Sequence, residues 1–377
     1  MKYRLEEIVD VTMGQSPKSE YYNTEKDGCP FLQGNRTFGF KYPTFDTYTT
    51  VVTKFAKAGD VIMSVRAPVG ALNITPVDMC LGRGVCSLRM KNGNQSFLFY
   101  MMKYYVSHLL KKESGTVFGS VNRNDINSLE VDIPEDVEEQ KRIARYLEMI
   151  DDKIELNAAI NNNLEEQMEA LHRSWFIYYA PFGGTKPSNW IKADIYSIAN
   201  IIYGAPFASK LFNTDGLGKP IIRIRDLKEQ AFVTYTTEIH PKGHLIQPGD
   251  IVVGMDGEFR PYIWGNSEAW LNQRVCIFES KLPSDKAFML YTIKPLLNVI
   301  EQTQVATTVI HIGKKDYDAF EITLPDRKTL DQFSEITTPM LERIVNNRIE
   351  NKKLAKLRDA LLPQLMSGEI DVSDVVL

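Results

Sequence analysis

Apolar and polar residues follow two different patterns along this chain, and the changes of pattern divide it into four segments. In residues 1–134, short apolar runs rich in Val, Ile, Tyr and Thr, such as Val61–Val65, alternate with Gly, Pro and Asn turns. This pattern is typical of short strands. Residues 180–325 show the same pattern, for example at Ile221–Ile224. With occasional helical stretches such as Phe97–Lys111, the pattern predicts two α/β domains, residues 1–134 and 180–325.

The other two segments, 135–179 and 326–377, each predict one long helix with a seven-residue period, as in a coiled coil. Asp136 and Asp326 stand at the expected N-caps, and Gly183 and Gly368 follow the expected ends. The first helix repeats Leu147, Ile154, Asn161, Met168, Trp175 and Ile143, Ile150, Asn157, Leu164, Leu171. The second helix repeats Thr337, Ile344, Asn351, Arg358, Leu365 and Phe333, Met340, Asn347, Leu354, Leu361.

These repeats predict a seam that is apolar at both ends and carries asparagine in the middle. A buried asparagine selects one register, because a slipped pairing leaves its amide unsatisfied. We expect antiparallel pairing, with Asn157 beside Asn351 and Asn161 beside Asn347. Roughly 41 helical residues rising ~1.5 Å each span ~60 Å, which is comparable to ~18 base pairs of B-DNA.

The chain is one unit written twice, with an offset of 190 or 191 residues. Gly59-Asp60-Val61-Ile62 matches Gly249-Asp250-Ile251-Val252, and Gly84-Val85-Cys86 matches Arg274-Val275-Cys276. Because the repeat is cyclic, the end of the C-terminal helix should lie near the N-terminus, as the end of the first helix should lie near residue 190. A circular permutation at that junction should then preserve the activity of the chain.

Composition narrows the class of protein. The four cysteines show neither CxxC spacing nor disulfide density and are interpreted as buried small apolar residues of a cytoplasmic protein, and no apolar run is long enough for a membrane helix. The net charge of −4 arises mainly in residues 135–179, which carry 5 basic and 11 acidic residues. A nucleic-acid-binding face on the flanking domains therefore stays possible.

The chain resembles a known family over essentially its whole length, and two stretches carry most of the resemblance. Ile133-Pro134 followed by Glu138-Glu139-Gln140-Lys141-Arg142-Ile143-Ala144 looks like the central conserved region of type I restriction-modification specificity subunits. Leu361-Leu362-Pro363-Gln364-Leu365-Met366-Ser367-Gly368 looks like their distal conserved region. The Gly-Asp strands and Pro220-Ile221-Ile222-Arg223 also resemble their target recognition domains.

The resemblance implies a non-catalytic subunit with two α/β target recognition domains in an internal repeat, separated by two helices that form an antiparallel coiled coil. Such a subunit reads a bipartite double-stranded DNA target, one half per recognition domain. It also implies two modification subunits that carry S-adenosylmethionine and methylate adenine, and restriction subunits that use ATP and Mg²⁺. No cofactor is expected on this chain.

Candidate DNA contacts are Arg, Lys, Asn and Gln on turns, which pair with purine edges or hold phosphates. An ordinary solvated charge is the alternative for each of them. Arg223 and Arg225 alternate with isoleucines and are expected on one strand face. The candidates are Gln33, Asn35, Arg36, Lys111, Lys112, Arg123, Arg223, Arg225, Lys228, Lys314 and Lys315.

Other chemistries fit less well. His240 and His244 have the i, i+4 spacing of a zinc site, but Pro241 and Gly243 between them prevent a helix, and His108, His172 and His311 are isolated in the sequence. Asp132, Glu139 and Lys141 only loosely match a nuclease pattern, and there is no Gly-rich S-adenosylmethionine loop. The alternatives are a decoy specificity protein, which assembles with partners as an assembly or antirestriction factor without reading DNA, and a DNA-acting enzyme in its own right.

Overall fold

The computed structural model describes residues 1–111, 119–303 and 311–372. The chain forms two compact units, one made of Met1–Glu155 with the chain from Leu354 onward, and the other of Leu156–Lys353. Each unit contains one domain of short strands and helices together with parts of both long helices. No helix in the described ranges is long and apolar enough to cross a membrane.

The first unit begins with three short elements, β1 (Lys2–Arg4), α1 (Leu5–Ile8) and β2 (Val9–Met13), and the rest of its domain follows in chain order. Its further elements are β3 (Tyr22–Asn23), β4 (Cys29–Leu32), β5 (Tyr48–Thr49), β6 (Phe55–Ala56), β7 (Val61–Ser64), β8 (Leu72–Ile74), β9 (Met79–Leu81), β10 (Val85–Met90), α2 (Gln95–Lys111), α3 (Arg123–Asn127) and β11 (Glu130–Asp132). The long helix α4 (Val137–Phe176) follows.

The second domain repeats these elements in the same order, except that a 3-10 turn at Ile195–Ser197 replaces α1. It consists of β12 (Ile191–Asp194), β13 (Ala199–Tyr203), β14 (Phe212–Asn213), β15 (Lys219–Ile222), β16 (Tyr235–Thr236), β17 (Leu245–Ile246), β18 (Ile251–Gly254), β19 (Pro261–Ile263), β20 (Ala269–Leu271), β21 (Val275–Ser280), α5 (Lys286–Thr303), α6 (Lys314–Asp318) and β22 (Glu321–Leu324). The long helix α7 (Arg327–Met366) closes the repeat.

The sheets confirm the repeat strand by strand. In the first unit the strand orders are β1-β11, β2-β10-β7-β8 and β3-β5-β4-β9-β6, and in the second they are β12-β22, β13-β21-β18-β19 and β14-β16-β15-β20-β17. All pairs are antiparallel except β4 with β9 and, at the equivalent place, β15 with β20.

The repeated Gly-Asp motif builds the turn before the central strand of each four-stranded sheet. Gly59 and Gly249 have φ of +86° and +88°, a left-handed conformation that favours glycine. The carboxylate of Asp60 accepts a hydrogen bond from the Lys57 backbone N–H at 2.9 Å, and that of Asp250 accepts one from Gln247 at 2.7 Å. The motif therefore shapes the fold of each domain.

The caps of the long helices match the sequence prediction. The Asp136 carboxylate accepts hydrogen bonds from the backbone N–H groups of Glu138 and Glu139 at 3.1 and 3.2 Å. Asp326 accepts the corresponding bond from Thr329 at 3.1 Å. These bonds satisfy donors that have no partner within the first helical turn.

The predicted antiparallel asparagine pairs are present within the second unit. Asn157 donates from Nδ2 to Asn351 Oδ1 at 2.9 Å, and Asn347 donates to Asn161 Oδ1 at 2.8 Å. Asn161 in turn donates to the Ile344 carbonyl at 3.3 Å. The numbering of the pairs rises along one helix as it falls along the other, so α4 and α7 run antiparallel there.

The seam is apolar at both ends, as predicted, but an ion pair of Arg358 interrupts it in the first unit. Asp151 on α4 is fully buried and accepts a hydrogen bond from Arg358 Nη1 on α7 at 2.7 Å. Tyr100 donates its hydroxyl proton to the same carboxylate at 2.9 Å, and Lys103 Nζ lies 3.7 Å from it. An ion pair and a tyrosine therefore replace apolar packing at this place.

The ends of the long helices lie where the cyclic repeat predicts. In the first unit, Leu365 and Val372 belong to the same buried core as Leu5. In the second, the Phe176 ring lies 5.7 Å from that of Trp190. Of the cysteines, Cys80, Cys86 and Cys276 are buried as predicted, whereas Cys29 is half-buried.

Candidate nucleic-acid interface

Backbone hydrogen bonds join four segments of the first unit, which lie after β4, after β7, between β9 and β10, and before α3. Gly84 N–H donates to the Gln33 carbonyl at 2.9 Å, just after β4. Val65, after β7, donates to the Gly84 carbonyl at 2.9 Å, and Val121 donates to the Val65 carbonyl at 2.9 Å. These hydrogen bonds join the segments into one surface, which we call the first platform.

The platform encloses a cleft of about 220 Å³ that is rich in hydrogen-bond donors. Gln33 and Asn35 are two of the residues predicted from the sequence, and Arg66 and Arg83 add two positive charges beside them. Its lining residues are Gln33, Gly34, Asn35, Arg66, Ala67, Arg83 and Gly84. Guanidinium and amide groups are the side chains that pair most often with purine edges and phosphates.

Arg36 lies on the same loop but has a carboxylate partner. Its Nη2 lies 2.7 Å from Asp46 Oδ2, in an exposed ion pair. Together with the Thr47 hydroxyl, Arg36 lowers the pKa of the Asp46 carboxyl. The pair lies beside the cleft, where Asp46 limits the conformations of the arginine.

The second unit builds the equivalent platform with the same backbone bonds. Met255 N–H donates to the Arg274 carbonyl at 2.9 Å and Ile312 N–H donates to the Met255 carbonyl at 2.9 Å. Asn272 N–H donates to the Ile222 carbonyl at 3.2 Å at the end of β15, as Gly82 N–H donates to the Leu32 carbonyl at 2.8 Å in the first unit. Met255, Arg274 and Ile312 thus stand where the first unit has Val65, Gly84 and Val121.

Three ionisable side chains meet on the second platform. His311 Nδ1 lies 2.8 Å from Asp256 Oδ1 and 3.0 Å from Arg274 Nη1. Arg274 Nε lies 3.5 Å from Asp256 Oδ2. Arg274 and His311 keep 50% and 46% of their side chains exposed, so the cluster is accessible to a ligand.

The expected strand position of Arg223 and Arg225 is wrong, because β15 ends at Ile222 and a 3-10 turn follows at Ile224–Asp226. The Asp226 carboxylate accepts the Arg223 backbone N–H at 3.0 Å and stabilises this turn. Arg225 is exposed and donates to the Thr234 hydroxyl at 3.3 Å. Lys228 lies exposed on the same turn, so the loop still presents basic side chains beside the platform.

The remaining candidates that the structure describes, Arg123, Lys314, Lys315 and the backbone of Lys111, belong to helices. Arg123 begins α3 and donates to the Val11 carbonyl. Lys314 begins α6 and pairs with Asp318 at 2.9 Å, while Lys315 is exposed. Lys111 ends α2, its side chain is outside the described residues, and Lys112 lies outside them altogether.

The residues considered for a zinc site or a nuclease site do not come together in the structure. His240 and His244 lie on no helix, as predicted, and His240 Nδ1 instead accepts the Lys242 backbone N–H at 3.1 Å. Asp132 contacts the N-terminal ammonium at 3.0 Å, and Lys141 pairs with Glu138 at 2.7 Å. Across the described ranges, no three His, Cys, Asp or Glu side chains are grouped so that they could hold a metal ion.

Sequence reasoning missed five of the residues that the platforms bring together. Arg66 and Arg83 were not among the candidates, nor were Asp256, Arg274 and His311. A usable signal was present, because Arg66 and Asp256 are 190 residues apart and both follow the central Gly-Asp strand of their repeat. His311, isolated in the sequence, joins the cluster through the backbone pairing of Asp256 with His311.

The family model of the type I restriction modification DNA specificity domain matches this chain twice, over residues 1–166 and 187–358. The chain is 37% identical to the putative type I restriction enzyme MjaX specificity subunit of Methanocaldococcus jannaschii, in an alignment that covers 43% of this chain and 38% of that relative. It is 23% identical to the MjaIX specificity subunit of the same organism, over 99% of this chain and 94% of that protein. It is 24% identical to the HindI specificity subunit of Haemophilus influenzae, over 84% and 88% of the two chains.

A solved structure shares the fold along nearly the whole length. The crystal structure of the type I restriction-modification S subunit from M. genitalium superposes with a TM-score of 0.61 at 15% identity, covering 97% of this chain and 95% of that one. This likeness and the doubled family model confirm the predicted fold class of two repeated α/β domains with long helices. The chain belongs to the family of type I restriction-modification DNA specificity subunits.

Proposed function

We propose that this chain is the non-catalytic sequence-reading subunit of a cytoplasmic type I restriction-modification complex. Each platform reads one half of a bipartite double-stranded DNA target, and the paired helices set the unread gap between the halves. Two modification subunits supply S-adenosylmethionine chemistry, and restriction subunits supply the chemistry that depends on ATP and Mg²⁺.

The observation that supports this most strongly is the duplicated platform. One backbone framework recurs in both domains with basic and amide side chains around it, and each copy lies in a stretch matched by the DNA specificity model. A bipartite target requires two readers of common construction that carry different side chains, and this chain has both features.

The reading residues of the first domain are then Gln33, Asn35, Arg66 and Arg83. Arginine contacts supply both phosphate affinity and guanine discrimination, whereas Gln and Asn pair with adenine. Arg36, Arg223, Arg225, Lys228 and Lys315 add phosphate contacts at the margins. Each phosphate contact removed should lower the salt slope of DNA binding by about 1.

The first experiment is to purify the chain with the modification subunit encoded beside it and to map adenine methylation on plasmid DNA by long-read sequencing. The expected result is methylation of one bipartite motif with a fixed gap. A complex that assembles yet methylates nothing and selects no sequence from a random DNA library would contradict sequence reading and indicate a decoy.

Variants make the test specific to the cleft. Arg66→Gln combined with Arg83→Gln should weaken or relax recognition of one half of the motif and leave the other half intact. Lys192→Gln is the control, because Lys192 is exposed and pairs with Glu321 on the two-stranded sheet of the second unit. A control variant that changed the motif as strongly as the cleft variant would contradict the assignment.

A further inference from the structure

The two platforms share a backbone framework but carry side chains of different chemical type. At the 190-residue offset, Arg66 corresponds to Asp256 and Gly84 to Arg274. Both domains form the same isolated bridge from this position, Arg66 to Ser120 in the first and Asp256 to His311 in the second. The backbone framework is therefore the same in both domains, whereas the side chains at equivalent positions differ in charge and size.

The first domain has no room for a side chain where the second has Arg274. A Cβ built on Gly84 would lie 2.3 Å from the Gln33 carbonyl oxygen, far closer than two such atoms can approach. In the second domain the chain leaves β15 in a 3-10 turn, and Arg274 projects with half of its side chain exposed. An arginine at this place is specific to the second platform.

Asp256 and His311 hold the Arg274 guanidinium from one side. Asp256, with 24% of its side chain exposed, contacts Arg274 Nε at 3.5 Å, and His311 Nδ1 contacts Nη1 at 3.0 Å. The His311 nitrogen either accepts from Arg274 or donates to Asp256, and either bond keeps His311 in contact with the other two groups. A guanidinium held in this way loses less conformational entropy when it binds a ligand.

The cluster leaves donors available for that ligand. A guanidinium has five N–H donors, and the contacts to Asp256 and His311 involve only Nε and Nη1. The ligand that matches a planar pair of remaining N–H donors is a pair of neighbouring acceptors. On duplex DNA the major-groove edge of guanine offers such a pair, O6 and N7.

Resting on the proposed function, we infer that Arg274 reads a guanine in the half-site of the second recognition domain, and that Asp256 and His311 are its positioning residues. The first domain has no counterpart of this arginine, because Gly84 occupies the place. The inference therefore assigns one base of one half-site to one side chain.

The test uses the complex of this chain with its modification subunit. Methylation mapping and selection from a random DNA library give the wild-type motif, and the Arg66→Gln, Arg83→Gln variant shows which half belongs to the first domain. Arg274→Gln should then relax one guanine position in the other half, lowering discrimination there by about 5- to 150-fold. Arg274→Lys keeps the charge but loses the planar donor pair, so it should relax the same position while retaining more affinity.

Asp256→Asn separates positioning from reading. It should relax the same guanine position partially and leave every other position of both halves unchanged, which loss of structure could not do. Arg260→Gln is the matched control, because Arg260 is an exposed arginine of the same domain, 3.9 Å from Glu258 and outside the cluster.

The outcomes separate the inference from the proposed function. A wild-type motif without guanine in the second half, or an Arg274→Gln variant with unchanged guanine preference, overturns the inference and leaves sequence reading in place. A wild-type complex that selects no motif overturns the proposed function itself. Relaxation by Arg274→Gln at one guanine of the second half, with Arg260→Gln unchanged, supports the inference.

Discussion

Replacing the ion pair between Asp151 and Arg358 with apolar residues, one residue at a time, should first lower and then restore the free energy of unfolding. At the 190-residue offset, the second unit has Leu341 and Met168 at the corresponding positions, and both are buried in its apolar core. The protein thus contains both a charged and an apolar solution to one packing problem. Introducing Leu and Met at positions 151 and 358 of the first unit tests which interactions the ion pair depends on.

Magnitudes follow from the geometry of the pair. Asp151→Leu leaves Arg358, whose side chain is only 13% exposed, without its buried partner. Removing one member of a buried ion pair typically costs about 3–5 kcal/mol of the free energy of unfolding. In that variant Arg358 still pairs with the exposed Asp359 at 2.7 Å. Adding Arg358→Met removes the guanidinium, and a buried pair replaced by apolar residues is often neutral or stabilising.

Tyr100 determines the remaining cost in the double variant. Its hydroxyl loses the Asp151 acceptor, and an unsatisfied buried hydroxyl costs about 1–3 kcal/mol. Tyr100→Phe should therefore bring the triple variant back to within about 1 kcal/mol of the wild type. Lys103, with 24% of its side chain exposed, can turn its ammonium group to water.

Urea unfolding followed by far-UV circular dichroism measures the series. All four tryptophans, Trp175, Trp190, Trp264 and Trp270, lie in the second unit, so tryptophan fluorescence follows that unit separately. Hydrogen exchange of peptides from residues 137–155 localises the effect in the first unit. Strictly additive losses, with the double variant as unstable as the sum of the two singles, would refute the reasoning.

Three further predictions concern the helices and the chain order. Burial lowers the pKa of His172 to about 4 from 6.5, so the unfolded chain binds the proton at a higher pH than the folded chain does. Roughly 3 kcal/mol of the free energy of unfolding should therefore be lost as pH falls from 6.5 to 4. His172→Gln should abolish that part of the pH dependence of urea unfolding. Asn161→Leu alone should cost about 1–3 kcal/mol in urea unfolding by leaving Asn347 unpaired, whereas Asn161→Leu with Asn347→Leu should recover most of it; equal losses would show that the amide pair does not matter. A permutant that opens in the exposed Gly183–Gly184 turn and joins the original termini should fold and methylate the wild-type motif, and a folded permutant that methylates another motif would contradict the cyclic repeat.

Local chemistry explains which parts of the fold could be predicted from the sequence. A seven-residue period, an N-cap aspartate and a terminating glycine act within a few turns of one helix, so α4 and α7 were predicted to within a few residues of their observed ends. The asparagine register was also predictable, because an amide in a seam has one favourable partner position. The Gly-Asp motif was visible as a repeat, although its role in building a turn required the φ of Gly59 and Gly249.

What could not be predicted depends either on a local hydrogen bond that overrides the apolar pattern or on contacts between segments far apart in the chain. Arg223 and Arg225 alternate with isoleucines as in a strand, yet the Asp226 carboxylate captures the Arg223 backbone N–H, and this local bond ends β15. Arg358 occupies a seam position that should be apolar, and its ion pairs with Asp151 and Asp359, both at 2.7 Å, offset the burial of its charge.

The platforms also show what the sequence could not predict, and here the missed residues bear on function. Their backbone bonds recur at a constant offset, so the repeat itself reveals the framework, but the residues displayed on it differ between the copies. A search for identical residues in the two halves therefore finds the scaffold and passes over Asp256, Arg274 and His311. In a protein whose two domains must read different half-sites, the positions to examine are those where the framework repeats and the side chain does not.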